Sequence, residues 1–302
     1  MSAPGMSRLV IPARHDARLA ALFALFLACA PEQRFAELGD FRLESGDVIR
    51  DCRIGYRTFG QLDAARSNAV LVTPWAMGTS RDLARQIASG KLLDPSGRYV
   101  IAVDALGNGV SSSPSNSEQQ PGRAFPRFSM RDVVETQHRL LTRVLGVTHV
   151  DAVVGTSAGG MQAFVWATAH PEFVDHAIAI AGSPRSSEND RRRWLASMEN
   201  RGADDFAWQA HAMATLDVTA PFGGSLERAA AAVRARLLVI APGRDEVVDP
   251  APALEFARLA GAQIVTIDGR CGHAAPTCES DAVRSAIAGF LAGEPRSASR
   301  QP

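Results

Sequence analysis

Between residues 69 and 267 the chain alternates two kinds of segment. Short runs rich in Val, Ile, Leu and Ala, bounded by Gly, Pro or Asp, recur at 69–73, 99–103, 150–154, 177–181, 237–241 and 263–267. A strand buried on both faces reads as such a run, because neither face alternates with solvent. Amphipathic stretches at 130–145 and 161–170 separate several of these runs and carry apolar residues at helical spacing. Strands alternating with helices predict a mostly parallel central sheet with helices on both faces. Ahead of it, FRLESGDVIRDCRIGYRTFG (41–60) alternates at period two and predicts an antiparallel edge hairpin. From 185 to 233 the alternation stops and the pattern is helical without strand, which predicts a short helical lid inserted between two sheet strands. The expected layout is a core over 31–184, the lid over 185–233, the rest of the core over 234–293 and a disordered tail over 294–302.

Composition narrows the class of partner. Of 302 residues, 46% are hydrophobic and 21% charged, enough apolar material for a buried sheet. The 32 basic residues balance 32 acidic ones without a basic stripe, so nothing points to nucleic acid. The run Arg191, Arg192, Arg193 reads as a solvated helix face. At the start, Arg8, Arg14 and Arg18 precede LAALFALFLACA (19–30), the order of charges then apolar residues found in secretory signal peptides. Twelve residues fall short of the ~20 a membrane-spanning helix needs, so no stable transmembrane span is expected. The expectation is an exported protein, periplasmic or secreted. Cleavage falls after Ala30, or before Cys29 if FLAC acts as a lipoprotein box; a retained N-terminal helix is the competing reading.

The strongest chemical signal is Gly155-Thr156-Ser157-Ala158-Gly159, a G-x-S-x-G string that follows one apolar run and opens a helical segment. That context is the nucleophile elbow of the α/β-hydrolase fold, in which a sharp turn presents a serine hydroxyl at the end of the sheet. The hydroxyl needs a base, and the base an orienting acid, in the chain order Ser, acid, His. His273 follows the last apolar run in GRCGHAAP, whereas His211 lies within the lid, so His273 is the candidate base. Asp245 follows the run at 237–241 and is the candidate acid, with Glu246 and Asp268 as less favoured substitutes. Asp249 precedes Pro250 and a helical stretch, and reads as a helix cap. Two backbone N–H groups should hold the developing oxyanion: that of Ala158 and one from Thr73–Gly78, with Ala76 the best candidate. Trp75 and Met77 in the same loop are candidate substrate contacts. No metal constellation or cofactor motif is found, and Asp104–Gly109 lacks the G-x-G-x-x-G of a dinucleotide site. Four cysteines remain to be placed. Cys29 would be removed or lipid-modified and Cys52 lies in the hairpin, leaving Cys271 and Cys278 as the candidate disulfide if the protein is exported.

GTSAGGMQAFVWA, VDALGNGVSSSPSN, the Asp245–Pro250 run and the Gly272-His273 pair together resemble the homoserine O-acetyltransferase family of α/β-hydrolases. The likeness covers most of 41–185 and 235–292, and GGMQ after the elbow is its most specific element. The resemblance implies acyl transfer through Ser157 from a small-molecule ester or thioester, with His273 moving the proton, and it places Arg185 near the pocket. The lid at 185–233 is shorter than that family's and lacks its acceptor-site pattern. An acyl-ester hydrolase is therefore the first expectation and a homoserine O-acetyltransferase-like acyltransferase the second. A non-catalytic binding protein of the same fold is the third, and an ordered Ser, Asp, His set speaks against it. Acyl chain, alcohol and oligomeric state stay open, a homodimer being one option.

Overall fold

Eight strands form one sheet in the order β1-β2-β4-β3-β5-β6-β7-β8. They are β1 (Arg34–Arg42), β2 (Val48–Phe59), β3 (Ala69–Thr73), β4 (Tyr99–Val103), β5 (Val150–Thr156), β6 (Val174–Ile180), β7 (Arg236–Pro242) and β8 (Gln263–Ile267). β1 pairs antiparallel with β2, and β2 antiparallel with β4; every other pairing is parallel. This is an α/β-hydrolase fold, with the expected hairpin at the sheet's edge. The computed structural model describes residues 31–201 and 205–293. The leader expected over 1–30, with Cys29, and the tail expected over 294–302 lie outside the described residues. Among the described residues no helix is long and apolar enough to cross a membrane.

Burial on both faces explains the apolar runs. Val153, Ala177, Ala179, Leu237 and Val239 join one apolar cluster, while their chain neighbours Val154, Ile178, Ile180, Leu238 and Ile240 join another on the opposite face. Helices α1 (Ser80–Ala88) and α8 (Ser280–Ala292) cover the second face through Leu83, Ile87, Val283, Ile287 and Phe290. Helices α2 (Met130–Arg139), α3 (Ala158–Ala169) and α7 (Ala251–Leu259) cover the first through Val133, Phe164, Trp166 and Phe256. Both α1 and α2 begin with reciprocal caps, Thr79 with Asp82 and Ser129 with Asp132, which satisfy N–H groups that have no partner within the helix. β6 starts three residues before its apolar run, at Val174, because Val174 and His176 pair in register with Val150 and Ala152 of β5. His176 is buried, and its Nδ1 lies 3.1 Å from Asp151 Oδ1, the carboxylate that also pairs with Arg98.

The segment after β6 folds as α4 (Glu188–Arg201), α5 (Asp205–Ala214) and α6 (Leu226–Ala231) before the chain re-enters the sheet at β7. One isolated antiparallel bridge, Arg185 to Asp217, joins two points of this insertion that were expected to have no strand pairing. Trp194, Trp208 and Met213 are buried, and the Trp208 Nε1–H donates to the Phe125 and Pro126 carbonyls at 3.0 and 3.1 Å.

Candidate active site

Ser157 stands between β5 and α3 with φ 58° and ψ −118°, a conformation that costs a non-glycine residue roughly 1–3 kcal/mol. The neighbouring glycines make it achievable. A Cβ on Gly155 would lie 2.0 Å from the Gly159 carbonyl oxygen, and one on Gly159 would lie 2.4 Å from the Thr73 carbonyl oxygen. The Ser157 N–H donates to the Ile180 carbonyl at 2.8 Å, and the Met161 N–H donates back to the Ser157 carbonyl at 3.0 Å. The serine hydroxyl is thus placed by backbone packing.

His273 reaches it from the loop after β8. Its Nε2 lies 2.8 Å from Ser157 Oγ and its Nδ1 2.8 Å from Asp245 Oδ2. Asp245 follows β7, and its side chain is 1% exposed. The other oxygen, Oδ1, accepts the N–H groups of Val247 and Val248, both at 2.9 Å. An ionised carboxylate there accepts only, so the imidazole carries its proton on Nδ1 and turns the Nε2 lone pair toward the serine hydroxyl. Asp249 sits apart from this line: its Oδ1 accepts the Ala251 N–H at 2.9 Å, the start of α7. Cys271 and Cys278 form a disulfide across the histidine loop, with Cα atoms 6.5 Å apart.

Ala158 is the first residue of α3, where an N–H has no acceptor within the helix. The loop with Ala76 lies against the elbow, since Thr73 Oγ1 donates to the Gly159 carbonyl at 3.0 Å. A narrow cavity of about 10 Å³ opens beside Ala158, lined by Trp75, Leu106, Phe128, Met130 and Met213 among others. Trp75 thus stands where a substrate contact was expected. Two other expected contacts do not line this cavity. Met77 has an exposed side chain and φ 61°, while the Arg185 guanidinium pairs with Glu255 at 3.1 Å. An arginine beside an unpaired carboxylate at the surface is drawn to it rather than to an apolar cavity.

The sequence does not single out the side chains that hold the candidate oxyanion loop. Gln162 donates from Nε2 to the Pro74 carbonyl at 3.3 Å, and its Oε1 accepts from Gln137 at 2.6 Å. Gln137 in turn accepts the Trp166 Nε1–H at 2.9 Å. Asn108 donates from Nδ2 to the Gly78 carbonyl at 3.0 Å and to Asp104 at 3.1 Å. Buried Asp104 also accepts the Ser80 N–H at 2.7 Å. Gln209 of α5 accepts the Met77 N–H at 2.7 Å and donates to the Leu106 carbonyl at 3.0 Å. Gln162 was visible only as the last letter of GGMQ, and Asp104 and Asn108 only as a turn after a strand.

Among the described residues, two clusters bring ligand-type side chains together. Cys271 and Cys278, near Glu279, are joined in the disulfide and offer no thiolate. Glu135 Oε2 lies 3.9 Å from His138 Nδ1 and 3.8 Å from His170 Nε2. The two imidazoles are stacked with centroids 4.2 Å apart and planes 17° apart. Their lone pairs therefore lie in nearly parallel planes and do not converge on one ion. Burial pushes His138 down, and burial together with His138 holds His170 at about 4, so both rings are neutral near pH 7.

A hydroxyl, an imidazole and a buried carboxylate in one hydrogen-bonded line, at the carboxyl edge of a mostly parallel sheet, mark the hydrolase class of α/β proteins. The chain belongs to the family described as the alpha/beta hydrolase fold, whose model matches residues 71–275. An ethyl acetate hydrolase of Pseudomonas veronii is 41% identical over 155 residues, 51% of this chain and 44% of that protein. A homoserine O-acetyltransferase of Methanococcoides burtonii is 35% identical over 167 residues, 49% of this chain and 34% of that protein. The matched region thus spans less than half the length of either relative. Among solved structures, an acetyl esterase, MekB, superposes with a TM-score of 0.77 at 25% identity, covering 87% of this chain and 98% of that one.

Proposed function

We propose that this protein hydrolyses small acyl esters through a covalent acyl-enzyme on Ser157. The observation that carries the reading is the continuous line from Ser157 Oγ through His273 to buried Asp245. His273 Nε2 takes the hydroxyl proton as Oγ attacks the acyl carbon, and the Ala158 and Ala76 N–H groups receive the charge on the carbonyl oxygen. His273 then protonates the departing alcohol as the C–O bond breaks. Water repeats the sequence on the acyl-enzyme, releasing the acid and restoring the serine. The narrow cavity beside Ala158 has room for about one water-sized group, which favours an acetyl-sized acyl chain. Relatives named ethyl acetate hydrolase and acetyl esterase support the same choice.

A second reading follows from the acetyltransferase relative: the same acyl-enzyme passes its acyl group to an alcohol such as homoserine. Parallel assays with p-nitrophenyl acetate, and with acetyl-coenzyme A plus homoserine, separate the two. Turnover of the ester without an acceptor is the expected result; turnover that depends strictly on homoserine would overturn it. Fluorophosphonate labelling of Ser157 addresses the binding-protein alternative, because a folded protein that stays unlabelled has no activated serine. We also propose export, supported by the leader-like pattern of residues 1–30 and by a disulfide of the kind that persists in oxidising compartments. N-terminal sequencing of the protein from its native host tests this: a chain starting near residue 30 is expected, and intact residues 1–30 in a cytosolic fraction would end the idea.

A further inference from the structure

Trp75, Ala76, Met77 and Gly78 form a tight turn closed by the Gly78 N–H donating to the Trp75 carbonyl at 2.9 Å. The third residue, Met77, has φ 61°. Positive φ at that position is the mark of a type II turn, which ordinarily places Gly there. Turning over the Ala76–Met77 peptide would convert it to type I and let Met77 relax to negative φ. The Met77 side chain is 37% exposed, so packing of that side chain is not what prevents the change. What opposes it is the Met77 N–H, bonded at 2.7 Å to Gln209 Oε1, with Gln209 7% exposed and its other end bonded at 3.0 Å to the Leu106 carbonyl. After a flip the Ala76 carbonyl would point where that N–H now points, toward Gln209 and the cavity it lines. A carbonyl oxygen there would repel the oxyanion the loop is meant to receive.

We infer that Gln209 is a positioning residue that holds the oxyanion turn in its competent form, so that acyl chemistry requires helix α5 to be seated. The inference rests on the esterase reading above. α5 is anchored to the same edge of the sheet at its first residue, where the Asp205 carboxylate accepts the Ser115 N–H at 2.9 Å and the Ser115 hydroxyl at 2.6 Å. Among the described side chains that brace the turn, Gln209 is the one supplied by the helical insertion. Movement of the insertion therefore acts directly on the oxyanion loop.

The test uses Gln209→Met, which keeps length and removes the acceptor. With p-nitrophenyl acetate, kcat should fall ~10- to 100-fold with KM changed less than about threefold, as expected when geometry around the reacting group is lost but ground-state binding is kept. Adding Met77→Gly should restore kcat to within about fivefold of wild type, because glycine holds positive φ without a clamp. A role confined to packing α5 would not be rescued at residue 77. Met77→Val, with Gln209 and α5 untouched, should lower kcat several-fold by penalising positive φ at a β-branched residue, and it decides the matter if Gln209→Met does not fold. Gln209→Met with more than half of wild-type kcat, loss that Met77→Gly does not restore, or an unaffected Met77→Val would each overturn the inference. A wild-type protein that neither turns over the ester nor labels at Ser157 would instead refute the esterase reading.

Discussion

Ser157 and Met77 stand beyond the ends of two neighbouring strands, β5 and β3, and both hold a non-glycine residue at positive φ, 58° and 61°. They are held in different ways. Ser157 is locked by backbone: glycines two residues before and two residues after it allow contacts that no Cβ could share, and main-chain bonds close both sides. Met77 is locked by a side chain 132 residues away in sequence. The candidate nucleophile is thus held by its own pentapeptide together with the neighbouring sheet strands β3 and β6. The turn at Met77, proposed to carry the oxyanion contact, is non-local: its N–H is bonded by a side chain of the helical insertion. The first should resist perturbation of the insertion, and the second should not.

The largest effects test the hydroxyl side. Ser157→Ala and His273→Ala should each lower ester turnover by ~10⁴- to 10⁶-fold with an unchanged circular dichroism spectrum; residual turnover above a tenth of wild type would remove either residue from its role. Asp245→Asn should cost on the order of 10⁴, since the amide favours the wrong imidazole tautomer. Asp249→Asn should leave turnover near wild type, and the reverse pattern would exchange the two assignments. Gly155→Ala should destabilise the fold by about 3 kcal/mol in urea unfolding, because the new Cβ would meet backbone atoms that cannot withdraw. Replacing Cys271 and Cys278 together by Ser should cost about 2 kcal/mol, the value for a loop this short. Activity should fall further than that stability loss explains, because the loop carries His273; equal activity in the reduced protein would assign the bond to stability alone.

The smallest effect lies at the far end of α3, the helix that begins beside Ser157. His170 caps it, faces His138, Glu135 and Arg131, and titrates at about 4 when folded against ~6.5 when unfolded. The unfolded chain therefore takes up its proton first as pH falls. Stability present above pH 6.5 is lost progressively down to about 4, by about 1 kcal/mol once the partial exposure of the ring is discounted. Melting temperatures across that window should fall less steeply in His170→Gln, and identical slopes would place the acid sensitivity elsewhere.

Much of this is legible in the amino-acid sequence. Apolar runs of about five residues could be read as two-sided strands because each alternate residue in β5, β6 and β7 enters an apolar layer. Gly155, Ser157 and Gly159 could be read as an elbow because the constraint lies in adjacent residues. His273 and Asp245 followed from chain order and from their places after β8 and β7. The roles expected for Met77 and Arg185 did not follow from position alone. Loop residues next to a site can turn either way, and the direction is set by neighbours such as Gln209 and Glu255 that lie far away in sequence.

The sequence by itself determined the layered architecture and the candidates for hydroxyl, base and acid, because periodicity and turn chemistry act over a few residues. Only the tertiary structure decided which side chains clamp the candidate oxyanion loop. Gln137, Gln162, Asn108 and Gln209 are ordinary polar residues in their local context. They acquire a role only where folding buries them beside backbone groups that would otherwise lose their hydrogen bonds, and an unpaired polar group in such a place costs ~1–3 kcal/mol.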